Sequence, residues 1–241
     1  MTVNDPLPTL GLAHFLTQAN PLALAVLGLL LILSVASWYQ ILAKTWQGLR
    51  RYRRSRAFLA RLRDLPEGAP TAAALAAAAP TEPFARLAQT GLRAQARALP
   101  APGQSVPEAP IVRALALGIA HEGTRLESGL TLLASVAATA PFIGLFGTVG
   151  GIYQALLGLG QPGHGSLEQV AGPVGEALIM TGLGLAVAIP AVLAYNAFNR
   201  ANRVLIDRLE GFAQDLLSVL VTDRRDGESP ATLADSGEAR P

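Results

Sequence analysis

The chain has 241 residues, 51% of them hydrophobic and only 15% charged, with 24 Gly, 17 Pro, no Cys and a mean hydropathy of +0.36. Soluble domains carry roughly a quarter charged residues, so this composition argues against a globular enzyme and for a membrane protein. The lack of cysteine excludes a disulfide framework, a zinc–thiolate cluster and a thiol nucleophile, and His14, His121 and His164 lie too far apart in sequence to suggest a ligand set, so neither cofactor nor metal is expected.

Residues 1–20 are expected to form a short outer terminus, followed by an uncharged apolar run at 21–43. At 1.5 Å per residue, about 20 residues cross a hydrocarbon core about 30 Å thick. No Lys or Arg precedes this run and a basic cluster follows it, the reverse of a signal peptide, so it reads as a first transmembrane helix with its N-terminus outside. The cluster Arg50, Arg51, Arg53, Arg54, Arg56, Arg61 and Arg63 is explained by topology and by anionic lipid headgroups near Arg50, Arg51, Arg53 and Arg54, and does not call for a nucleic-acid partner.

Residues 44–129 read as a cytoplasmic helical region. The spacing of Trp46, Leu49, Tyr52, Phe58 and Leu62 continues the first helix to about Leu65. Pro66 and Pro70 break it, and an alanine-rich helical turn at 71–79, a helix from Glu82 to Leu99 and a Pro-rich linker follow. From Ile111 the pattern is helical again and runs without a breaker into a second uncharged apolar segment, 130–159. A loop at 160–170 leads to a third segment, 171–198, and then to a helix and a polar, disordered tail within 199–241. Lys and Arg number none in residues 1–43, thirteen in 44–129, none in 160–170 and six in 199–241. Basic residues are retained on the cytoplasmic side, so the expected fold is an all-α membrane protein with three transmembrane helices, N-terminus out and C-terminus in, and long cytoplasmic helical extensions.

Within the three segments Glu176 is the one ionisable side chain. A charge in the bilayer costs roughly 2.5–3.5 kcal/mol on insertion scales, so a carboxylate there points to a water-lined cavity, a partner or a neutral protonated form. A group that alternates between those forms can carry protons, and the alternative is a solvated residue at the outer interface. Small residues also form two stripes, Gly144, Thr148, Gly151, Ala155 and Gly158 in the second segment and Ala177, Thr181, Gly184, Ala188 and Ala191 in the third. For the glycines and alanines the stripes predict close helix packing. Thr148 and Thr181 could line a polar pore or bond back to their own helices. On an ideal helix Glu176 and Thr181 lie about 140° apart and do not share a face.

The stretch APFIGLFGTVGGIYQAL resembles the SPFIGLFGTVWGI signature of the ExbB/TolQ/MotA proton-channel family, and GPVGEALIMTGLGLAVAIPAVLAYNAFNR resembles its second signature. The resemblance implies a bacterial inner-membrane channel subunit that turns proton-motive force into mechanical work. It also implies a homo-oligomer, a pentamer, around a dimer of a single-span ExbD-type partner. Carried across by motif, the channel glutamate falls on Glu176 and the pore threonines on Thr148 and Thr181. Gly150 departs from the tryptophan of many relatives. Three spans and this length disfavour the MotA branch, and the ExbB branch is preferred, with TonB-dependent uptake across the outer membrane as the work delivered. A TolQ-like subunit of the Tol-Pal envelope motor is the alternative, and a passive membrane scaffold is the rival from another class.

Overall fold

The computed structural model describes residues 21–63, 81–98, 107–159 and 167–226. Among them the chain is all-helical: α1 (Pro21–Arg63), α2 (Pro83–Arg97), α3 (Glu108–Glu127), α4 (Leu130–Leu159) and α5 (Leu167–Asp226). Three helices, α1, α4 and α5, are long and apolar enough to cross a membrane. A backbone group left unpaired in lipid costs several kcal/mol, and a helix satisfies its own N–H and C=O groups within the segment. The alanine-rich turn expected at 71–79 and the tail after Asp226 lie outside the described residues.

Two boundaries differ from the sequence reading. Helix α5 starts at Leu167, so the end of the loop expected at 160–170 is already helical; Leu167, Glu168 and Gln169 are all good helix formers. The helical pattern from Ile111 does not run unbroken into the second apolar segment, because α3 ends at Glu127 and α4 begins at Leu130. Gly129 between them has φ +79°, a left-handed conformation that glycine adopts without steric cost. Side-chain amides satisfy backbone carbonyls at this break: Asn202 Nδ2 donates to the Leu126 carbonyl at 3.1 Å and Gln40 Nε2 to that of Gly129 at 3.2 Å.

The chain divides into two compact units. The first comprises the described residues up to Lys44 together with Gly129–Phe198, and so holds the apolar parts of α1, α4 and α5. Its core joins Val26 and Leu30 of α1 to Leu133, Val136 and Ala140 of α4 and to Met180, Ala188 and Ala191 of α5. Helices α4 and α5 run antiparallel and meet backbone to backbone. A Cβ placed on Gly144 would lie 2.6 Å from the Met180 carbonyl oxygen and 3.2 Å from the Cα atoms of Thr181 and Gly184. One placed on Gly184 would lie 2.6 Å from the Ala140 carbonyl oxygen. The large residues of α4 turn the other way, with Phe142 71%, Phe146 59% and Tyr153 61% exposed. Lipid tails are as apolar as leucine, so burying large side chains gains little there, and close contact between small residues holds the helices together instead.

The second unit holds the basic end of α1, α2, α3 and the last part of α5. Phe84 and Leu87 of α2, Ile111 and Leu115 of α3, and Leu209 and Leu216 of α5 form its core. Phe212 sits edge-on to Phe84 at 5.4 Å and to Phe58 of α1 at 6.4 Å between ring centroids, so all four helices share one apolar centre. Polar groups reinforce it. Buried Glu82 caps α2 by accepting the Ala85 N–H at 2.8 Å, and it accepts the Ser55 hydroxyl of α1 at 2.7 Å. Glu122 of α3, also buried, accepts from Arg86 Nε at 2.7 Å and Nη2 at 2.6 Å. Burial pushes the Glu82 carboxyl above the ordinary carboxylate range, against the opposing pull of its bonds to Ser55 and Ala85 and of the nearby Arg86 charge.

Two outcomes follow from this packing. Gly144→Ala meets backbone, which cannot step aside, and should lower stability by about 1–3 kcal/mol in thermal unfolding of the detergent-solubilised protein. Gly211→Ala in α5 meets nothing within 4 Å, and the reduced flexibility of the unfolded chain should raise stability by about 0.5–1 kcal/mol.

A third outcome concerns pH. A folded-state value above the unfolded one makes the Glu82 contribution complete below the unfolded value of 4.5, and the contribution is lost as pH rises through the folded value. Glu82→Gln keeps the cap through its amide oxygen and can donate to Ser55, so its unfolding temperature should fall less than the parent's between pH 4.5 and 8. Glu82→Ala, which removes the cap, should cost about 1–2 kcal/mol at every pH. Parallel slopes for the parent and Glu82→Gln would exclude Glu82 as the titrating group.

Candidate functional site

The closest approach of α4 and α5 sets their register, and the register sets what stands level with what. Gly144 faces Thr181 and Gly184, Gly147 faces Met180, and Gly151 faces Ala177, whose Cβ would be 2.9 Å from one added at Gly151. The α5 stretch from Pro173 to Thr181 therefore lies opposite the α4 turns from Gly144 to Gly151. Glu176 is in that stretch, one residue before buried Ala177; for Glu176 and Gly158 only the helical backbone is described.

Thr148 lies on α4 between the two glycine contacts and is only 4% exposed. Its hydroxyl donates to the Leu145 carbonyl of its own helix at 2.7 Å, which uses its one hydrogen and leaves the oxygen as an acceptor. A buried threonine that bonds to its own helix needs no partner from elsewhere, and this is the local arrangement its position permits. Thr181 is half-buried, and its Cα borders Gly144. The two threonines and Glu176 are thus brought to successive turns of the α4/α5 pair: Thr181 stands level with Gly144, Ala177, which follows Glu176, stands level with Gly151, and Thr148 lies between those two contacts on α4. Of the remaining stripe residues, Ala155, Ala177 and Ala188 are buried, the last in the apolar core of this unit.

Gly150 of α4 is where the Leu22 side chain of α1 approaches, since a Cβ there would overlap Leu22 Cδ2. Glycine at this position makes room for a side chain of α1. Arginines predicted to meet lipid headgroups divide into two kinds. Arg50 lies over the exposed Trp46 ring, 5.7 Å from its centroid. Arg51 is half-buried and within electrostatic reach of Arg86 and Glu122. Among the described residues no cluster of His, Asp and Glu could hold a metal ion.

The polar centre of the second unit, Ser55, Glu82, Arg86 and Glu122, was not singled out by sequence reasoning. Its residues are spread over three helices, and the only local signal was the Glu82-Pro83 pair at the start of α2, a helix-opening pattern.

The sequence matches the MotA/TolQ/ExbB proton channel family over residues 79–211, a stretch that contains α4, the whole candidate site and most of α5. It is 39% identical to the biopolymer transport protein ExbB of Xanthomonas campestris pv. campestris strain B100 over 232 residues, 91% of this chain and 92% of that protein. Identity to the biopolymer transport protein ExbB of Neisseria meningitidis strain Z2491 is 38%, covering 83% of this chain and 92% of that protein. The Tol-Pal system protein TolQ of Pseudomonas aeruginosa is 43% identical over 110 residues, which is 46% of this chain and 48% of that protein. With a family match over more than half its length, full-length relatives, three membrane-length helices and both signature segments packed against each other, the chain belongs to the MotA/TolQ/ExbB proton channel family and is a multi-pass membrane protein, not an enzyme.

Proposed function

We propose that the chain is the proton-channel subunit of an ExbB–ExbD type motor, which uses proton-motive force to energise TonB-dependent transport across the outer membrane. The observation that carries this reading is the single carboxylate of the three apolar segments, Glu176, on the α5 turn that faces Gly151, one turn of α4 from Thr148. Relatives of the ExbB type match over 91% of the chain, whereas the TolQ match covers 46%, which favours the TonB-linked branch over the Tol-Pal one.

In this reading Glu176 takes up a proton from one side and releases it to the other as it alternates between charged and neutral forms. Each elementary charge moved through the membrane potential yields about 2.3 kcal/mol per 100 mV. Thr148, its hydrogen committed to Leu145, offers an acceptor oxygen to a water molecule or to the neutral carboxyl. Thr181 supplies a second hydroxyl on the same helix as Glu176. The exposed apolar faces of α1 and α4 are covered by lipid and by further copies of the chain in a homopentamer. Its centre takes a dimer of the single-span ExbD-type partner, which contacts TonB. The inner-membrane orientation, N-terminus periplasmic and C-terminus cytoplasmic, is supported by all nineteen basic residues lying between 44 and 129 or beyond 198.

Glu176→Gln, expressed in cells that lack their own copy, should reduce TonB-dependent uptake of a radiolabelled ferric siderophore to background while its membrane level and oligomeric state stay normal. Thr148→Val, which keeps volume and removes the acceptor, should lower uptake partially. Normal uptake by a correctly assembled Glu176→Gln variant would leave the chain as a scaffold for its partners.

A further inference from the structure

Outside the candidate channel, α2 and α3 enclose an open groove of about 710 Å3, lined by Arg86, Thr90 and Arg93 on one side and by His121, Arg125 and Ser128 on the other. Gly118 makes it possible for the helices to come so near, since a Cβ there would be 2.9 Å from Leu87 Cδ1. Its volume falls in the range of about 300–1,000 Å3 typical of small-molecule sites.

The charges in the groove are arranged in an uncommon way. Glu122, its carboxylate buried, accepts two bonds from Arg86 and a third from Arg125 Nη1 at 3.0 Å. One carboxylate thereby holds two guanidinium groups from different helices side by side. Arg93, one helical repeat along α2 from Arg86, is exposed and forms no salt bridge among the described residues. Three guanidinium groups against one carboxylate leave two positive charges in the lining of the groove.

We propose that this groove binds a phosphate group. A terminal phosphate concentrates up to two negative charges on three acceptor oxygens, and a guanidinium presents paired N–H donors that match two of them. Side-chain ordering, which usually opposes such binding, is already met for Arg86, which Glu122 holds by two bonds, and in part for Arg125, which it holds by one. An acidic peptide spreads its charges over several residues and suits the converging guanidinium groups less well. The phosphate can belong to a soluble compound or to an anionic lipid headgroup. Ser128, at one end of the groove, is two residues from Leu130, where the membrane-length helix α4 begins, so the second source is within reach along the chain.

Both sources can be tested on the purified full-length protein in detergent, without reference to proton transport or siderophore uptake. Calorimetric titration with sodium pyrophosphate at low ionic strength probes the soluble source. Native mass spectrometry after exposure to phosphatidylglycerol or phosphatidylcholine probes the headgroup. Arg93→Gln and Arg125→Gln should each weaken binding roughly tenfold or more, the loss of a charged hydrogen bond. Arg97→Gln, on α2 but outside the groove, should leave it unchanged, and unchanged unfolding temperatures would show that all three fold. Pyrophosphate binding that depends on Arg93 assigns the groove to a soluble phosphate compound. Retention of phosphatidylglycerol over phosphatidylcholine that depends on Arg93, without pyrophosphate binding, assigns it to a headgroup. Failure of both probes, equal binding by the Arg93→Gln and Arg125→Gln variants, or binding of a poly-glutamate peptide alone would overturn the proposal.

Discussion

The contact between Gly144 and Gly184 is the constraint on which the membrane unit depends. Two helix backbones approach until a single added methyl group would strike a carbonyl oxygen on the other helix. Such an approach is possible only where neither helix carries a side chain, and it is the form of attraction left to helices in a medium that already dissolves apolar residues. Once these glycines meet, the antiparallel register of α4 and α5 has no freedom to slide. Thr148, Thr181 and the turn that carries Glu176 then stand on neighbouring turns because of contacts made by the glycines around them.

The second unit is built on the opposite physics. It buries large side chains: Phe84, Leu87, Leu209 and Leu216 are drawn inward, while Arg53, Arg54, Arg93 and Arg113 are exposed. Its buried carboxylates need partners, because an unpaired charge out of water is costly. Glu82 has the N-terminus of α2 and a serine of α1, and Glu122 has two arginines. Continuous helices α1 and α5 belong to both units, so one sequence changes along its length from small residues in and large residues out to the reverse.

Legibility followed the same division. The three membrane-length helices could be read from the sequence because the length of an apolar run is a local property. The break at Gly129 could not: Gly129 follows an otherwise continuous helical pattern, and helical glycines are common in this chain, as Gly144 and Gly184 show. What sets Gly129 apart is its backbone conformation, together with amides from Gln40 and Asn202 that satisfy carbonyls at the break, and these donors are 89 and 76 residues from their acceptors. The Glu122 pair with Arg86 was hidden for the same reason, since 36 residues and a Pro-rich stretch separate them.

By itself, the sequence determined the three membrane-length apolar helices found among the described residues, the confinement of basic residues to 44–129 and 199–241, and a single carboxylate among the apolar segments. Those properties follow from composition over short windows, where solvent and lipid sort residues regardless of what the rest of the chain does. Tertiary structure alone decided which glycines meet, at what register Thr148 stands opposite α5, and which arginines Glu122 gathers. Each of these is a distance between residues remote in sequence, fixed by packing and by the need of every buried polar group for a partner.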